Sequence, residues 1–400
     1  GRDSLVLLPT GAGKSLIYQF ASFLLPGLTL VVTPLVSLME DQVDNLGRTG
    51  IDRVVTISSS TTATGRTRAL QRVLQSGAYR LCYIAPERLQ IQEFRDALLA
   101  VRIQMPIPLV VVDEAHCVSE WGHDFRPAYL NLGRLGRQVG RRGDHGTPAI
   151  VGLTGTASRS VLTDVQRELA IHDVEAVITP KTFDREELSF EVHAVASAQK
   201  QAALPAVLRA MPQRLGRVNQ GFFAPRGEDT ACGLVFCPHV RGDYGVEQVG
   251  ANLARSLTME VLTYAGRYEG ARKSVTTKRF KGNEVPVMAV TKAFGMGIDK
   301  PNVRYTVHFG FPPSLEAFYQ EAGRAGRDRQ ASHCVVLSSI DDDVRAGRLL
   351  DPGTAVEEIA EIMKQEVTRQ NSDDVTRALW FHVQAFLGAD AEAASVGELL

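Results

Sequence analysis

Leu5-Val6-Leu7-Leu8-Pro9-Thr10-Gly11-Ala12-Gly13-Lys14-Ser15 is an apolar run followed by a glycine-bearing turn, a lysine and a hydroxyl, and it leads directly into the helical stretch Leu16 to Leu25. A strand that feeds a helix through such a turn gathers backbone N–H groups and the positive end of the helix dipole at one place, which is a seat for phosphate. In that seat Lys14 reaches the β and γ phosphates of a nucleotide, Ser15 holds Mg²⁺, and Thr10, Gly11, Ala12 and Gly13 form the cradle. Leu8 stands where the general pattern has its first glycine, and a glycine-rich turn that binds nothing has much the same spelling.

Outward from this loop, short β-rich runs alternate with longer helical patterns. Leu28 to Thr33, Arg53 to Ile57, Leu81 to Ile84, Leu109 to Val112 and Ile150 to Leu153 read as strands. The alternation predicts an α/β domain built on a parallel sheet, assigned to residues 1–180. After a polar stretch near Thr179 to Glu187 the pattern restarts, with strands expected at Leu234 to Phe236, Met259 to Thr263, Val285 to Val290, Val303 to Phe309 and Cys334 to Leu337. Residues 181–345 are therefore read as a second α/β domain. Inside it, Met211 to Thr230 is rich in Gly, Arg, Pro and Gln and lacks periodicity, so an insertion is expected near 211–230. Residues 346–400 are read as a helical extension, with Ile359, Ile362 and Met363 spaced for one face.

Leu109-Val110-Val111-Val112-Asp113-Glu114-Ala115-His116 ends an apolar strand in two carboxylates, which suits a metal-holding Asp113 and a Glu114 that activates the attacking water. An acidic pair closing a core strand at the surface is the plainer alternative. Its place about one hundred residues after Lys14, in one strand-helix series, favours the catalytic reading. In the second domain, Gln320-Glu321-Ala322-Gly323-Arg324-Ala325-Gly326-Arg327-Asp328 spaces two arginines by three, so both are expected to point from one helical face. Arg324 and Arg327, with Gln320, are assigned to charge developing on a transferred phosphoryl group. Together these stretches describe a nucleotide hydrolase.

Composition narrows the setting without naming a partner. The 400 residues are 44% hydrophobic and 22% charged, with a formal net charge of −1, so any basic track for nucleic acid has to be local. No apolar run approaches the roughly 20 residues of a membrane span. Cysteines 82, 117, 232, 237 and 334 form no C-x-x-C pair and no secretory signal is visible, which argues for a reducing compartment and against a disulfide or zinc framework. A metal site built on Cys232, Cys237 and His239 is disfavoured, because the cysteines fall at a core strand and no fourth ligand is near.

The three blocks resemble motifs I, II and VI of superfamily 2 helicases, and the stretches between them resemble the RecQ branch, from Gly1 to about Asp343. The most specific match is Asp113-Glu114-Ala115-His116-Cys117-Val118-Ser119-Glu120-Trp121-Gly122-His123-Asp124-Phe125-Arg126-Pro127, which looks like the RecQ motif II with its aromatic-rich loop. Thr33-Pro34-Leu35-Val36-Ser37 and onward to Val43 resembles motif Ia. Ala85-Pro86-Glu87-Arg88 resembles motif Ib, and Leu153-Thr154-Gly155-Thr156-Ala157 motif III. Ala293 to Pro301, containing Asp299, resembles motif V. His239 and Tyr264 depart from the residues usual in motif IV and in the segment after it.

The resemblance implies two tandem RecA-like domains and an ATP- and Mg²⁺-dependent DNA helicase moving 3′ to 5′ along single-stranded DNA and opening duplex. A translocase or remodeller serving a repair or defence complex, without unwinding, is the alternative. By resemblance Asp299 joins the ATP site, and Pro34, Ser37, Arg88, Thr154, Thr156, Trp121, Phe125 and Arg126 touch DNA or couple it to ATP. Trp121, Phe125 and Tyr129 also have the spacing of a packed helix face, although the interleaved Gly122, His123, Asp124 and Pro127 argue for a loop. The chain reads as an excerpt of a longer protein, with protein partners expected through the ends it lacks, no membrane association, and a cytoplasmic, nucleoid-associated or nuclear setting.

Overall fold

Four-residue runs such as Thr29-Leu-Val-Val and Leu109-Val-Val-Val are apolar at every position, the signature of strands covered on both faces, and that is where they lie. The computed structural model describes residues 2–9, 11–57, 79–119, 126–140, 146–155, 157–294, 300–312, 314–366 and 373–377. Among these, the first sheet holds β1 (Ser4–Leu7), β2 (Thr29–Val32), β3 (Val54–Ile57), β4 (Leu81–Ile84), β5 (Leu109–Val112), β6 (Ala149–Thr154) and β7 (Val177–Ile178) in the order β3-β4-β2-β5-β6-β1-β7. All its pairings are parallel.

The pleat sends alternate side chains to opposite faces. Val6, Val31, Tyr83 and Val111 pack with Tyr18, Met39 and Leu46 of the helices Lys14–Leu24 and Val36–Arg48. Leu5, Leu7, Leu30, Val32, Ile84 and Val110 face the helices Gln92–Gln104, Leu132–Val139 and Arg159–Leu169. Parallel strands require crossovers, and among the described residues the carboxyl ends of β2, β4 and β5 pass directly into a helix or turn.

A second unit begins after Arg185 and is equally parallel. Its strands are β8 (Leu188–Ala194), β9 (Cys232–Phe236), β10 (Leu262–Tyr264), β11 (Val287–Val290), β12 (Val303–His308) and β13 (Ser332–Ser338), in the order β10-β11-β9-β12-β13-β8. The sequence reading starts this sheet at Leu234 and misses β8, which pairs with β13 over its full length. Ser189, Glu191 and His193 alternate with Leu188, Phe190 and Val192, so no apolar block stands out; the period-two alternation was the available signal. β7, two residues long, carries no periodic signal at all.

The segment 211–230 is not an appendage. Met211–Arg214 forms a short helix after Lys200–Arg209, Met211 is fully buried, and Phe222 stacks on Tyr305 with ring centroids 6.1 Å apart. The Tyr305 ring in turn lies so close over Gly233 that a Cβ there would meet it at 2.0 Å. The segment thus closes one side of the second core, a role set by tertiary packing that its irregular composition conceals.

At the far end, Asp343–Leu350, capped by Asp342, and Val356–Glu366 are helical, and residues 373–377 return to the second unit. There Asp374 accepts from Lys200 Nζ and from the Ser339 N–H, each at 2.7 Å, in a fully buried pair. Among the described residues no helix is long and apolar enough to cross a membrane.

Phe222→Ala tests the packing of 211–230. Loss of a buried ring is expected to cost roughly 3–5 kcal/mol of the second unit's stability in denaturant unfolding, against about 0.5 kcal/mol or less for a residue of a surface insertion.

Candidate functional site

The site assembles at the carboxyl edge of the first sheet, where β6 lies between β5 and β1. Beyond β1 the chain turns sharply: the Ala12 N–H donates to the Pro9 carbonyl at 3.1 Å, and Gly11 and Gly13 both have φ of +83°. That left-handed conformation is open to glycine and strained for residues with a Cβ, which is why the turn needs glycine at these places. The helix starts at Lys14 immediately after Gly13, so the amides of its first turn face the loop.

Beyond β5, Asp113 is tied to β2 by its N–H donating to the Val32 carbonyl at 2.8 Å, and the Glu114 N–H donates to Asp113 Oδ1 at 3.0 Å. Glu114 has φ of +48°, a strained setting for a non-glycine residue that turns its side chain back across the strand ends. As a result Lys14 Nζ comes within 3.9 Å of Glu114 Oε1. His116 Nδ1 stands 3.4 Å from Glu114 Oε2 and 2.9 Å from the hydroxyl of Thr154, the last residue of β6.

Burial pushes the Asp113 carboxyl up to about 7; the negative charge of Glu114 adds to the rise and Lys14 opposes it. A carboxylate stripped of water, next to a second one, is poised for a cation. The donor set fits Mg²⁺, because Ser15 and Asp113 both offer oxygen and this hard ion keeps water and phosphate oxygens for its other positions.

Other expected residues fall as follows. Gly11, Ala12, Gly13, Lys14, Ser15, Asp113 and Glu114 share this edge. Pro34 is buried beyond β2, and its carbonyl accepts from Arg126 Nη1 at 2.8 Å. Ser37 sits in the first turn of Val36–Arg48, its side chain outside the described residues, and Arg88 lies on the helix Pro86–Gln90. Thr154 is fully buried and linked to His116. Thr10, Thr156, Trp121, Phe125 and Asp299 lie outside the described residues. Tyr129 belongs to the core: it is fully buried and its hydroxyl donates to the Asp113 carbonyl at 3.0 Å.

In the second unit, Gln320 is on the helix Leu315–Ala322. Arg324 and Arg327 do not share a helical face as their spacing suggests. The helix ends at Ala322, the Arg324 and Ala325 amides close tight turns onto Glu321 and Ala322, and Gly326 enters the left-handed region at φ +64°. The glycines that interrupt the arginines break the helix.

A cleft of about 420 Å³ at the ends of β9 and β10, not expected from the sequence, is lined by Val240, Arg241, Glu247, Arg267, Tyr268, Glu269 and Arg272. The Arg272 guanidinium stacks on the Tyr268 ring at 3.6 Å. Basic residues interleaved with an aromatic in Arg267-Tyr268-Glu269-Gly270-Ala271-Arg272 were the visible signal.

Two parallel sheets, with a phosphate-loop turn and an acidic pair at one edge of the first on strands separated by β6, mark the tandem RecA-like fold of the superfamily 2 helicase class. The profile described as DEAD/DEAH box helicase matches residues 1–165, and that of the helicase conserved C-terminal domain matches residues 211–329. The ATP-dependent DNA helicase RecQ of Bacillus subtilis is 38% identical over 345 residues, 85% of this chain and 52% of the relative. The probable ATP-dependent DNA helicase RecS of the same organism is 33% identical over 365 residues, 91% of this chain and 66% of the relative. The chain belongs to the RecQ family, and spans about half to two thirds of the length of these curated relatives. In fold it is similar to the DEAD-box helicase Mss116 bound to single-stranded RNA, with a TM-score of 0.61 at 15% identity over 91% of this chain and 74% of the other.

The raised Asp113 carboxyl has a stability signature. Its unfolded value is near 3.9, so the stability its neutral form provides is complete below about pH 4 and is lost as pH rises through about 7. Asp113→Asn carries no such charge. In nucleotide- and metal-free thermal melts, the variant's advantage over the parent should therefore grow between about pH 4 and 7 and level off above; a gap independent of pH would contradict the buried charge.

Proposed function

We propose that this chain is the motor of an ATP-dependent DNA helicase, hydrolysing ATP to move 3′ to 5′ along single-stranded DNA and to part duplex. The observation that carries the reading is the convergence of Lys14, Asp113 and Glu114 on one space at the ends of β1 and β5. Lys14 binds the β and γ phosphates, and the first-turn amides after Gly13 receive the negative charge. Glu114, held by its strained backbone and by His116, takes a proton from the attacking water. Ser15 and Asp113 would hold Mg²⁺, which would supply positive charge against the phosphate oxygens. Arg324 and Arg327, with Gln320, are assigned to the charge that develops on the transferred phosphoryl group, and Asp299 to the nucleotide.

DNA in this reading is gripped through its phosphates by the segments at Pro34, Ser37 and Arg88. Trp121, Phe125 and Arg126 stack on bases, and Thr154 and Thr156 relay their state to Glu114. Arg126 already reaches the Pro34 carbonyl, which supports a link between the aromatic segment and motif Ia. A DNA substrate implies a nucleoid or nuclear setting.

The direct test is ATP hydrolysis with no nucleic acid, single-stranded DNA, duplex DNA and RNA in parallel, followed by strand displacement on 3′- and 5′-tailed duplexes. Stimulation by single-stranded DNA and unwinding of the 3′-tailed substrate are expected. Stimulation without strand displacement would mark a translocase instead.

Two substitutions separate the roles. Lys14→Ala should abolish hydrolysis in a folded protein, and normal turnover would remove the phosphate site from this loop. Arg327→Ala should keep ATP affinity within several-fold while kcat falls by about 10³ or more, because a finger acts on the transition state. A collapse of affinity with kcat unchanged would make Arg327 a ground-state ligand.

A further inference from the structure

One turn beyond Lys14 on the same helix, Tyr18 is buried with its hydroxyl 3.3 Å from that of Tyr83, which is also fully buried. The rings meet edge to face, with centroids 6.2 Å apart. The next residue, Gln19, donates through Nε2 to Gln42 Oε1 at 2.8 Å.

Both bonds leave the helix that carries Lys14 and Ser15, and both end on segments assigned above to DNA phosphates. Gln42 is on Val36–Arg48, the helix that follows Pro34 and contains Ser37. Tyr83 is on β4, whose chain passes through Ala85 directly into the short helix bearing Arg88.

The hydroxyls are not needed for packing, since phenylalanine would fill the same apolar cluster beside Val6, Val31 and Val111. Placing two hydroxyls there is costly unless they satisfy each other, and out of reach of water neither can move away from its partner without loss. Apolar contacts allow a helix to slide over a sheet, whereas a directional bond at each of two successive residues makes the partners follow. Burial is the main reason both phenols resist ionisation, and the negative charge of Asp113 contributes. The pair thus lies within the field of the group that holds the nucleotide's cation.

We propose that Tyr18–Tyr83 and Gln19–Gln42 are positioning pairs that transmit movement of the phosphate loop to the DNA-facing segments after β2 and β4, so that nucleotide occupancy and affinity for single-stranded DNA change together. This rests on the DNA-motor reading above. By linkage, the factor by which nucleotide changes DNA affinity equals the factor by which DNA changes nucleotide affinity, so one ratio measures the coupling.

The experiment uses the full chain and its Tyr83→Phe, Tyr18→Phe and Gln42→Met variants, with the double variant Tyr83→Phe/Gln42→Met. Fluorescence anisotropy reads the affinity for a labelled oligothymidylate without nucleotide and with Mg²⁺ and a non-hydrolysable ATP analogue. Each single variant is expected to keep nucleotide affinity within about threefold, while the ratio of the two DNA affinities falls at least threefold toward one, and further in the double variant. Tyr83→Phe should have at least the effect of Tyr18→Phe, because the Tyr83 hydroxyl also meets the Gln19 side chain.

A ratio equal to the parent's in every variant overturns the proposal; so does a variant that weakens both ligands equally, the mark of a merely structural contact. Should the tyrosine variants fail to fold, Gln42→Met, at a half-buried site, decides alone. A parent with neither DNA binding nor DNA-stimulated hydrolysis defeats the motor reading and this inference with it, whereas a stimulated parent with unaltered variants leaves the motor reading standing.

Discussion

The parallel pairing of β1, β6 and β5 is the constraint on which the rest depends. Because β6 is hydrogen-bonded on one side to β1 and on the other to β5, the phosphate loop and the acidic pair emerge at the same edge of the sheet although about one hundred residues separate them. Lys14 and Glu114 then face each other without any local sequence signal linking them. Parallel strands also demand helical crossovers, and these place a helix N-terminus directly after the β1 turn, where a phosphate is best received.

The chemistry of that edge is a balance of burial against charge. Taking Asp113 out of water disfavours its ionised form, Glu114 worsens this, and Lys14 relieves only part of it. Such a group is unfavourable while charged and unpaired, a cost to folding that a bound cation would offset. The strained Glu114 backbone is of the same kind: a local cost held in place by the neighbouring strands. Around it, Tyr129, His116 and Thr154 tie the segment together through hydrogen bonds.

The second unit shows how fold and irregular sequence can part company. Segment 211–230 has the composition of a loop, yet Met211 and Phe222 close a core whose other wall is the Tyr305 ring over Gly233. Residues 373–377 are mostly polar, yet they carry the buried Asp374 that meets Lys200. In each case a few residues with long-range partners matter more than the average character of the segment.

Strand-turn-helix order and parallel sheets were legible in the sequence because they depend on local periodicity, and residue types at short spacing marked Lys14, Asp113, Glu114, Arg324 and Arg327 as candidates. β4 and β5 coincide with the apolar runs from which they were read. What the sequence left open needed tertiary structure. β8 alternates polar residues with Phe190 and Val192, which stay exposed at the sheet edge, and the arginine segment lies beyond the helix end at Ala322, in turns where Gly326 takes a left-handed conformation and donates to the Val303 carbonyl. Tyr129 was equally compatible with a core and with a DNA-facing loop until its hydroxyl was seen on the Asp113 carbonyl. The pairs Tyr18–Tyr83 and Gln19–Gln42 join residues 65 and 23 positions apart, and no local rule of propensity or spacing specifies such bonds; only the packing of two helices on one sheet face brings them within reach.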